Sequence, residues 1–401
     1  MSVTRKNGWT GDAALSAEQL LYNFDCEASL REWLASVRKA QKENGALPGI
    51  VPTSGWGFEW GNGPAWVVAL IEIAYQLYRF GGDTGVLKEN AAAIEKYEDY
   101  LYTRVNKNGL IGFGLGDWLE AGAPSPDSYS TPVEITDTLT CIELLRKAEE
   151  IQQILGNAAA AEKSRNLERR LTENFKKLHL ENSVVDCETQ TAQAMAMSLN
   201  LFEDTEAAYS ELKRIIQKDG RFKAGILGAK RLFDCLCDYG DGETALRLLT
   251  DDTHPGYAHN LRAGATTLWE DFQIYDLSAL PDSLVRKDGG GIISLNHHCW
   301  GSISAWLFNR VAGLCIESPK RVEIAPCFIK GLPYAEAEYF REKRCIRVRW
   351  ERKEQKITLT VEKRFLRKSI RGRRTRVRRR LARLRDRIMQ IKTFIEITSI
   401  N

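Results

Sequence analysis

The sequence of 401 residues contains no apolar run of about 18 residues, the length that a membrane-spanning helix requires. No apolar stretch follows the early charges Arg5 and Lys6, so the pattern of a secretory signal peptide is also missing. Hydrophobic residues make up 43% of the chain and charged residues 27%, a balance typical of a globular protein. We therefore expect a protein of the cytoplasm that does not bind a membrane.

Cysteine residues are few and scattered. Nine are present, and only Cys235 and Cys237 lie close together in the sequence. A Cys-x-Cys pair without further ligands nearby is a poor metal site, and the remaining spacings resemble no disulfide framework. We expect reduced thiols, which suits a reducing compartment, and no metal site.

Positive charge is concentrated near the end of the sequence. Residues 363–387 hold 14 Lys and Arg and a single acid, Asp386, whereas the rest of the chain has 43 basic and 52 acidic residues. The net charge of +4 therefore reflects this stretch, and the body of the protein is acidic. Because few aromatic residues are interleaved with the arginines, a solvated charge run is favoured over a nucleic-acid site.

Apolar residues recur at helical spacing through most of the chain. In one such run Leu70, Ile73 and Leu77 lie at steps of three and four, and Asp83 or Thr84 is the candidate N-cap of the next helix. The helical patterns cover residues 14–42, 64–80, 84–105, 131–155, 157–178, 188–200, 205–219, 224–238, 242–250 and 296–314. Short turns alternate with long polar and aromatic loops, which predicts an α/α toroid, with an open helical solenoid as the alternative because no fixed-period repeat occurs.

The pattern changes near Ser318. Residues 322–324, 335–340, 345–350 and 356–361 are short and often alternating, as β-strands are. We therefore predict three regions: an α/α barrel over residues 1–317, an incomplete β-sandwich over 318–362, and a basic tail over 363–401 outside the fold. The apolar residues of the tail are too few to offset the entropy of ordering it.

Five loop segments combine glycine and tryptophan with carboxylate, amide or imidazole groups. Indole rings stack on the C–H faces of sugars, acids and amides hydrogen-bond hydroxyl groups, and glycine lets the backbone approach closely, so this mixture suits a carbohydrate site. The segments are Asn7-Gly-Trp-Thr-Gly-Asp12, Gly55-Trp-Gly-Phe-Glu-Trp-Gly-Asn-Gly63, Gly114-Leu-Gly-Asp-Trp118, Gly264-Ala-Thr-Thr-Leu-Trp-Glu270 and Ser294-Leu-Asn-His-His298.

Each of these residues also has a purely structural explanation. Asp12 taken alone fits the N-cap of a helix starting at the next residue, and a Gly-Asp-Trp triplet such as the one around Asp117 is often a capped turn. His297, at a helix start, could be a satisfied structural histidine. Four tryptophans are expected in the core: Trp33, Trp66, Trp269 and Trp306. Loop tryptophans beside glycine are the better candidates for a site.

Taken in order and spacing, the first, third, fourth and fifth segments resemble the α-L-rhamnosidases of glycoside hydrolase family 78. The resemblance runs from residue 6 to about residue 362, and its most specific part combines Gly264-Ala-Thr-Thr-x-Trp-Glu270 with Ser294-Leu-Asn-His297. It implies an (α/α)6 barrel followed by a C-terminal β-sandwich. It also implies hydrolysis of terminal α-L-rhamnose from a glycoside or oligosaccharide, with inversion at the anomeric carbon and without a cofactor.

The resemblance also implies the roles of individual residues. Inversion uses two carboxyl groups about 6.5–9.5 Å apart, one as the acid and one as the base that activates water. By its motif, Glu270 corresponds to the general base. The residues that correspond to rhamnose contacts are Asp12, Trp9, Trp118 and His297, with Asp117, Trp56 and Trp60 as further candidates.

The general acid of this family is a glutamate just before the segment matched by Asn7-Gly8-Trp9. Here Arg5 and Lys6 precede that segment. Without a gap Arg5 occupies the position of the acid, and with one residue deleted it matches an arginine of the family instead, so the glutamate is absent in either alignment. Val67 also stands where the family carries an acidic residue, and the strand patterns give way to the basic stretch. We expect a catalytic domain truncated at both ends and impaired in hydrolysis.

Three classes of function remain open from the sequence. The first is a glycosidase domain, active or impaired. The second is a non-catalytic, carbohydrate-binding remnant that keeps the tryptophans without turnover. The third is a nucleic-acid or membrane-surface binder acting through the tail, where Arg383, Leu384 and Ile388 fit a basic amphipathic helix.

Overall fold

A computed structural model describes residues 7–272, 294–341, 344–365 and 390–397. The chain forms two compact units. The first comprises Met1–Trp306 with Glu317–Arg321, and the second comprises Leu307–Ile316 with Val322–Asn401. Every candidate site residue named above belongs to the first unit.

The first unit is helical, as the apolar spacing predicts. Its helices are α1 (Thr10–Asn23), α2 (Glu27–Lys39), α3 (Pro64–Val67), α4 (Ala69–Gly81), α5 (Thr84–Thr103), α6 (Val133–Ile154), α7 (Ala158–His179), α8 (Gln190–Ser198), α9 (Thr205–Asp219), α10 (Ile226–Asp238), α11 (Gly242–Thr250), α12 (Tyr257–Arg262) and α13 (Ser302–Trp306). A small hairpin joins β1 (Leu180–Glu181) to β2 (Val184–Val185), and single 3-10 turns form at Ser54–Trp56 and His298–Gly301. None of the described helices has the length and apolar composition needed to cross a bilayer.

Short polar side chains fix where several helices begin. Each accepts a hydrogen bond from a backbone N–H in the first turn of its helix, which satisfies one of the donors left free at a helix start. The residues that do so are Asp83, Asn157, Thr189, Asp204 and Asp241. Asp83, rather than Thr84, is therefore the cap of α5.

Six helices form a closed inner ring. α1 packs against α4, α4 against α6, α6 against α8, α8 against α10, α10 against α13, and α13 returns to α1. The outer helices α2, α5, α7, α9 and α11 lie beside members of this ring. This closure distinguishes the α/α toroid from an open solenoid and brings the two ends of the unit side by side.

Charged side chains of α4, α6 and α10 form a network in which Glu72 is buried and the others are half-buried. Lys147 forms ion pairs with Glu72 and with Glu143, the second at 2.7 Å. Arg231 also forms an ion pair with Glu143. The ammonium group of Lys230 lies 3.4 Å from the carboxylate of Glu72. Burial favours the neutral acids, but the neighbouring cations outweigh it and lower the pKa of Glu72 to about 2 and also lower the pKa of Glu143. These residues line a pocket of about 460 Å³, including its open mouth.

The second unit is built from antiparallel strands. The strands are β3 (Leu314–Ser318), β4 (Arg321–Ile324), β5 (Tyr334–Arg341), β6 (Arg344–Lys353), β7 (Lys356–Phe365) and β8 (Gln390–Ile397). β3 pairs with β4, and β5 to β8 form a four-stranded sheet in sequence order. Its core includes Trp350, which is fully buried and donates a hydrogen bond to the Val311 carbonyl at 2.7 Å.

The structure corrects the start and the length of the first predicted helix. The run expected over residues 14–42 is two helices, and α1 starts at Thr10, so Asp12 lies in the first turn of the helix and not at its N-cap. The chain leaves α1 at Phe24, whose backbone is extended, although no glycine or proline marks this place. A toroid needs a turn here because its inner and outer helices alternate.

Two further corrections concern the regions near the end of the chain. The second unit already begins at Leu307, and β3 starts before the expected boundary at residue 318. The basic tail was expected to lie outside the fold, yet residues 390–397 form β8 and pair with β7 along its length. The physical reason is that β7 would otherwise present an unpaired edge. The amphipathic pattern around Leu384 lies outside the described residues.

Candidate active site

A cavity of about 910 Å³, including its open mouth, lies within the first unit. Its lining residues are Trp9, Asp12, Trp56, Trp60, Trp66, Trp118, Leu119, Pro126, Ile226, Glu270, Asp271, His297 and Cys299. The cavity therefore unites every predicted site residue except Asp117. These residues come from segments at both ends of the helical ring and from loops between them.

The segment that carries Trp9 and Asp12 is held by backbone pairing. The N–H of Val51 donates to the Gly8 carbonyl at 2.8 Å, and the N–H of Thr10 donates to the Gly49 carbonyl at 3.0 Å. A side chain at position 8 would bring its Cβ to 2.0 Å from the Val51 oxygen, so this position requires glycine. The pairing places Trp9 immediately before α1 and Asp12 in the first turn of that helix, where both line the cavity.

Glu270 and His297 are carried by two segments that pair with each other. The N–H of Glu270 donates to the Ser294 carbonyl at 2.8 Å, and the N–H of His297 donates to the Leu268 carbonyl at 2.7 Å. The N–H of Ser294 also donates to the Glu270 carboxylate at 2.9 Å, which fixes its direction. The indole of Trp300 donates to the Glu270 carbonyl at 3.1 Å.

Asp12, His297 and Glu270 form the polar centre of the cavity. The distance from His297 Nε2 to Asp12 Oδ1 is 2.7 Å, and that from His297 Nδ1 to Glu270 Oε2 is 4.0 Å. Burial favours the neutral form of Asp12, but the hydrogen bond and charge of His297 and the charge of His298 prevail and lower the pKa of Asp12. Asp12 is therefore a carboxylate at neutral pH.

Five tryptophans surround this centre. The centroid of Trp60 lies 5.1 Å from that of Trp9, 4.9 Å from that of Trp56 and 6.0 Å from that of Trp118. Trp66 completes the group at 6.4 Å from Trp118. Trp56 is 46% exposed, while Trp66 is 3% exposed, so the aromatic lining extends from solvent to the interior. Such a surface suits the C–H faces of a sugar.

Asp117 does not face the cavity, and its predicted contact with sugar is wrong. Its side chain is fully buried and accepts from the Thr191 hydroxyl and from the N–H of Gly225 at 2.7 Å. The N–H groups of Leu227 and Gly228, at 2.9 and 3.1 Å, also donate to it. Asp117 thus anchors the start of α10, the position that favours a carboxylate. Burial raises its pKa, although these donors oppose the shift.

The cavity contains residues that sequence reasoning missed. Asp271 directly follows Glu270 in the sequence, and Cys299 lies two residues after His297. This closeness to the motif residues was the available signal. Trp66 was expected in the core and is buried there together with Trp269 and Trp306, but it also lines the cavity. Trp33 is half-buried. Arg5, which precedes the Asn7-Gly8-Trp9 segment, lies outside the described residues.

The fold and the cavity define a six-hairpin glycosidase domain. The model of the bacterial α-L-rhamnosidase six-hairpin glycosidase domain matches residues 4–311. The chain belongs to this family, and its predicted membership of glycoside hydrolase family 78 and its mainly α toroid with a C-terminal β region are confirmed.

Curated and solved relatives agree with this assignment. An α-L-rhamnosidase of Streptomyces avermitilis is 30% identical over 340 residues, which cover 82% of this chain and 30% of that protein. The solved α-L-rhamnosidase from Dictyoglumus thermophilum has a TM-score of 0.78 at 28% identity, covering 88% of this chain and 39% of that one. A Streptomyces avermitilis α-L-rhamnosidase solved in complex with L-rhamnose has a TM-score of 0.74 at 26% identity, covering 88% and 33%. The chain spans about a third of the length of the curated relatives that it matches.

Proposed function

We propose that this chain is a catalytic domain that hydrolyses terminal α-L-rhamnosides with inversion at the anomeric carbon. The observation that carries the proposal is the contact of His297 with Asp12, with Glu270 beside it, inside a cavity lined by five tryptophans. The similarity to α-L-rhamnosidases, one of them solved with L-rhamnose, supports the choice of sugar.

In this proposal each polar residue has a separate task. Glu270, directed by the Ser294 N–H, accepts a proton from the water that attacks the anomeric carbon. The Asp12 carboxylate accepts hydrogen bonds from sugar hydroxyls, and His297 orients both the sugar and Asp12. The tryptophans cover the apolar faces of the ring and exclude bulk water, which strengthens the polar contacts.

The sequence lacks the glutamate that protonates the leaving group in this family. Aligned without a gap, Arg5 stands at the position of the family's acid, and a guanidinium group stays protonated at neutral pH and is a poor proton donor. We propose that hydrolysis of natural rhamnosides is impaired for this reason, whereas a phenolate leaves without assistance.

The decisive experiment uses 4-nitrophenyl α-L-rhamnoside beside the corresponding α-L-arabinoside, α-D-glucoside and β-D-glucoside. We expect release of nitrophenol from the rhamnoside alone, and proton NMR of the first product should show β-L-rhamnose. Preference for another sugar would overturn the assignment of substrate, and α-L-rhamnose as the first product would overturn inversion.

The second candidate function is a non-catalytic carbohydrate-binding domain. It is favoured by the same observation at position 5, because the tryptophans and Asp12 can bind a sugar without turnover. Calorimetric titration with L-rhamnose separates the two: binding without release of nitrophenol from the aryl rhamnoside would support this second function.

A further inference from the structure

The cavity wall contains a group of side chains that no step of the proposed hydrolysis requires together. Asp12, His297 and Cys299 each offer one ligand atom, and these atoms all lie within 4.8 Å of one another. In the described part of the chain this is the one group of three or more His, Cys, Asp and Glu residues with that geometry. Cys299 is 1% exposed and belongs to the same 3-10 turn that follows His297.

We propose that Asp12, His297 and Cys299 form a binding site for a thiophilic divalent cation, represented by Zn²⁺, and that the bound cation inhibits the domain. Thiolate, imidazole and carboxylate are the ligands that Zn²⁺ takes in proteins, and three protein ligands with one open position are common. Mg²⁺ and Ca²⁺ prefer oxygen ligands, so a site with sulfur and nitrogen discriminates against them.

The spacing of the side chains is close to what the cation needs. Zinc–ligand bonds of about 2.0–2.3 Å place the ligand atoms of a tetrahedral site roughly 3.3–3.8 Å apart. His297 Nε2 and Asp12 Oδ1 are 2.7 Å apart and would separate by about 0.6 Å, while the widest separation in the group, at most 4.8 Å, would shorten by about 1 Å.

Binding of Zn²⁺ forms bonds to the three side chains and displaces protons from them, but it changes no oxidation state. The Cys299 thiol releases its proton to solvent as the sulfur–zinc bond forms. His297 loses the Nε2 proton with which it binds Asp12 and carries its remaining proton on Nδ1, and His297 and Asp12 then each form one bond to the cation. The fourth position faces the cavity, where a water molecule completes the coordination. Cys299 is not disulfide-bonded, so its sulfur is available.

Inhibition rests on the proposed function, because it assumes that Asp12 and His297 contact the sugar. A cation bound to both would remove these contacts and occupy the polar centre beside Glu270. Zn²⁺ and a rhamnoside should therefore exclude each other, and Zn²⁺ should raise KM while leaving kcat unchanged.

Binding is tested first by a measurement that needs no activity. Co²⁺ is titrated into the reduced full chain, and a thiolate-to-cobalt charge-transfer band with intense tetrahedral d–d bands is expected at one equivalent. Zn²⁺ should displace the signal, and millimolar Mg²⁺ should not. Cys299→Ser should lose the charge-transfer band, whereas the matched control Cys26→Ser, at a half-buried cysteine outside the cavity, should retain it. A band that persists in Cys299→Ser would overturn the site.

Should Cys299→Ser fail to fold, X-ray absorption of the zinc-loaded parent chain decides the question. One sulfur and two or three nitrogen or oxygen neighbours are expected around zinc. Two or more sulfur neighbours would overturn the proposal, because they would place the metal on other cysteines.

Inhibition is tested with the aryl rhamnoside, each variant being compared with its own zinc-free rate. The inhibition constant for Zn²⁺ should rise at least about tenfold in Cys299→Ser, since even outer-shell partners of a metal contribute on that scale. Purely non-competitive inhibition would overturn the mutual exclusion. If cobalt binds as expected but no rhamnoside is hydrolysed at all, the proposed function fails and the metal site stands.

Discussion

His297 Nε2 lies 2.7 Å from Asp12 Oδ1. Asp12 belongs to α1, the first helix of the inner ring, whereas His297 precedes α13, the last one. The contact exists because α13 returns to α1 and closes the ring. A second link supports it, since the hydroxyl of Ser16 donates to the His298 carbonyl at 2.6 Å. Closure of the toroid thus assembles the polar centre from the two ends of the helical unit.

The first prediction concerns Glu270 as the base. Glu270→Gln keeps the size of the side chain and removes its ability to take a proton. We expect kcat for the aryl rhamnoside to fall by about 10²–10⁴-fold with little change in KM. Added azide, which needs no base, should restore turnover and give β-L-rhamnosyl azide. Unchanged kcat would place the base elsewhere.

Position 5 gives a second prediction, based on leaving groups. Arg5→Glu supplies a proton donor, so kcat/KM for a rhamnosyl disaccharide should rise by a part of the roughly 10²–10⁴-fold that general-acid assistance provides. The value for the aryl rhamnoside should change far less. Arg5→Gln, which removes the charge without adding a donor, is the control. If the parent chain already cleaves the disaccharide as fast as the aryl substrate, another residue supplies the proton.

For Asp117 we predict a loss of stability. Asp117→Ala leaves several buried donors at the start of α10 without a partner, and each such group costs about 1–3 kcal/mol. The free energy of unfolding in urea should fall by about 3–5 kcal/mol. The exposed Asp127, replaced by alanine, should change it by only about 0.5 kcal/mol. A wild-type unfolding curve for Asp117→Ala would contradict the anchoring role.

The charged network around Lys147 and the buried Glu72 predicts how stability depends on pH. The pKa of Glu72 is about 2 in the folded protein against 4.5 for an ordinary glutamate. A lowered pKa stabilises the fold above the ordinary value, and this stabilisation is lost as the pH falls from about 4.5 towards 2. The difference in unfolding free energy between the parent and Glu72→Gln should therefore be largest at neutral pH and shrink towards pH 2.

The matched control for this prediction is Glu173→Gln, since Glu173 is exposed on α7. Its effect on the unfolding free energy should be small, because an exposed charge contributes little to stability. A difference for Glu72→Gln that stays constant from pH 7 to about pH 3 would show that the charges of the network contribute nothing to stability.

Local signals in the sequence predicted most of the helices. Apolar residues at steps of three and four located α4, and the polar residue Asp83 marked the start of α5, because both effects act within a few residues. The end of α1 at Phe24 has no such signal. It follows from packing in the ring, which a short window of sequence does not contain.

The site was predictable as a set of motif residues but not in all of its parts. Asp117 stands in a glycine- and tryptophan-rich loop like the others, and only the fold reveals that its partners are amides more than a hundred residues later. Spacing placed Trp66 in the core, and spacing cannot tell a buried side chain from one that also borders a cavity. β8 was missed because its alternation of apolar and polar residues follows a long basic stretch.

The tryptophan lining has a spectroscopic consequence. Five of the ten tryptophans in the sequence border one cavity, so a large share of the intrinsic fluorescence of the protein originates there. Indole emission moves to shorter wavelength when water leaves the ring, and Trp56 in particular is open to solvent. Binding of a sugar should therefore shift the intrinsic tryptophan emission to shorter wavelength. The shift can be measured without a label and without turnover.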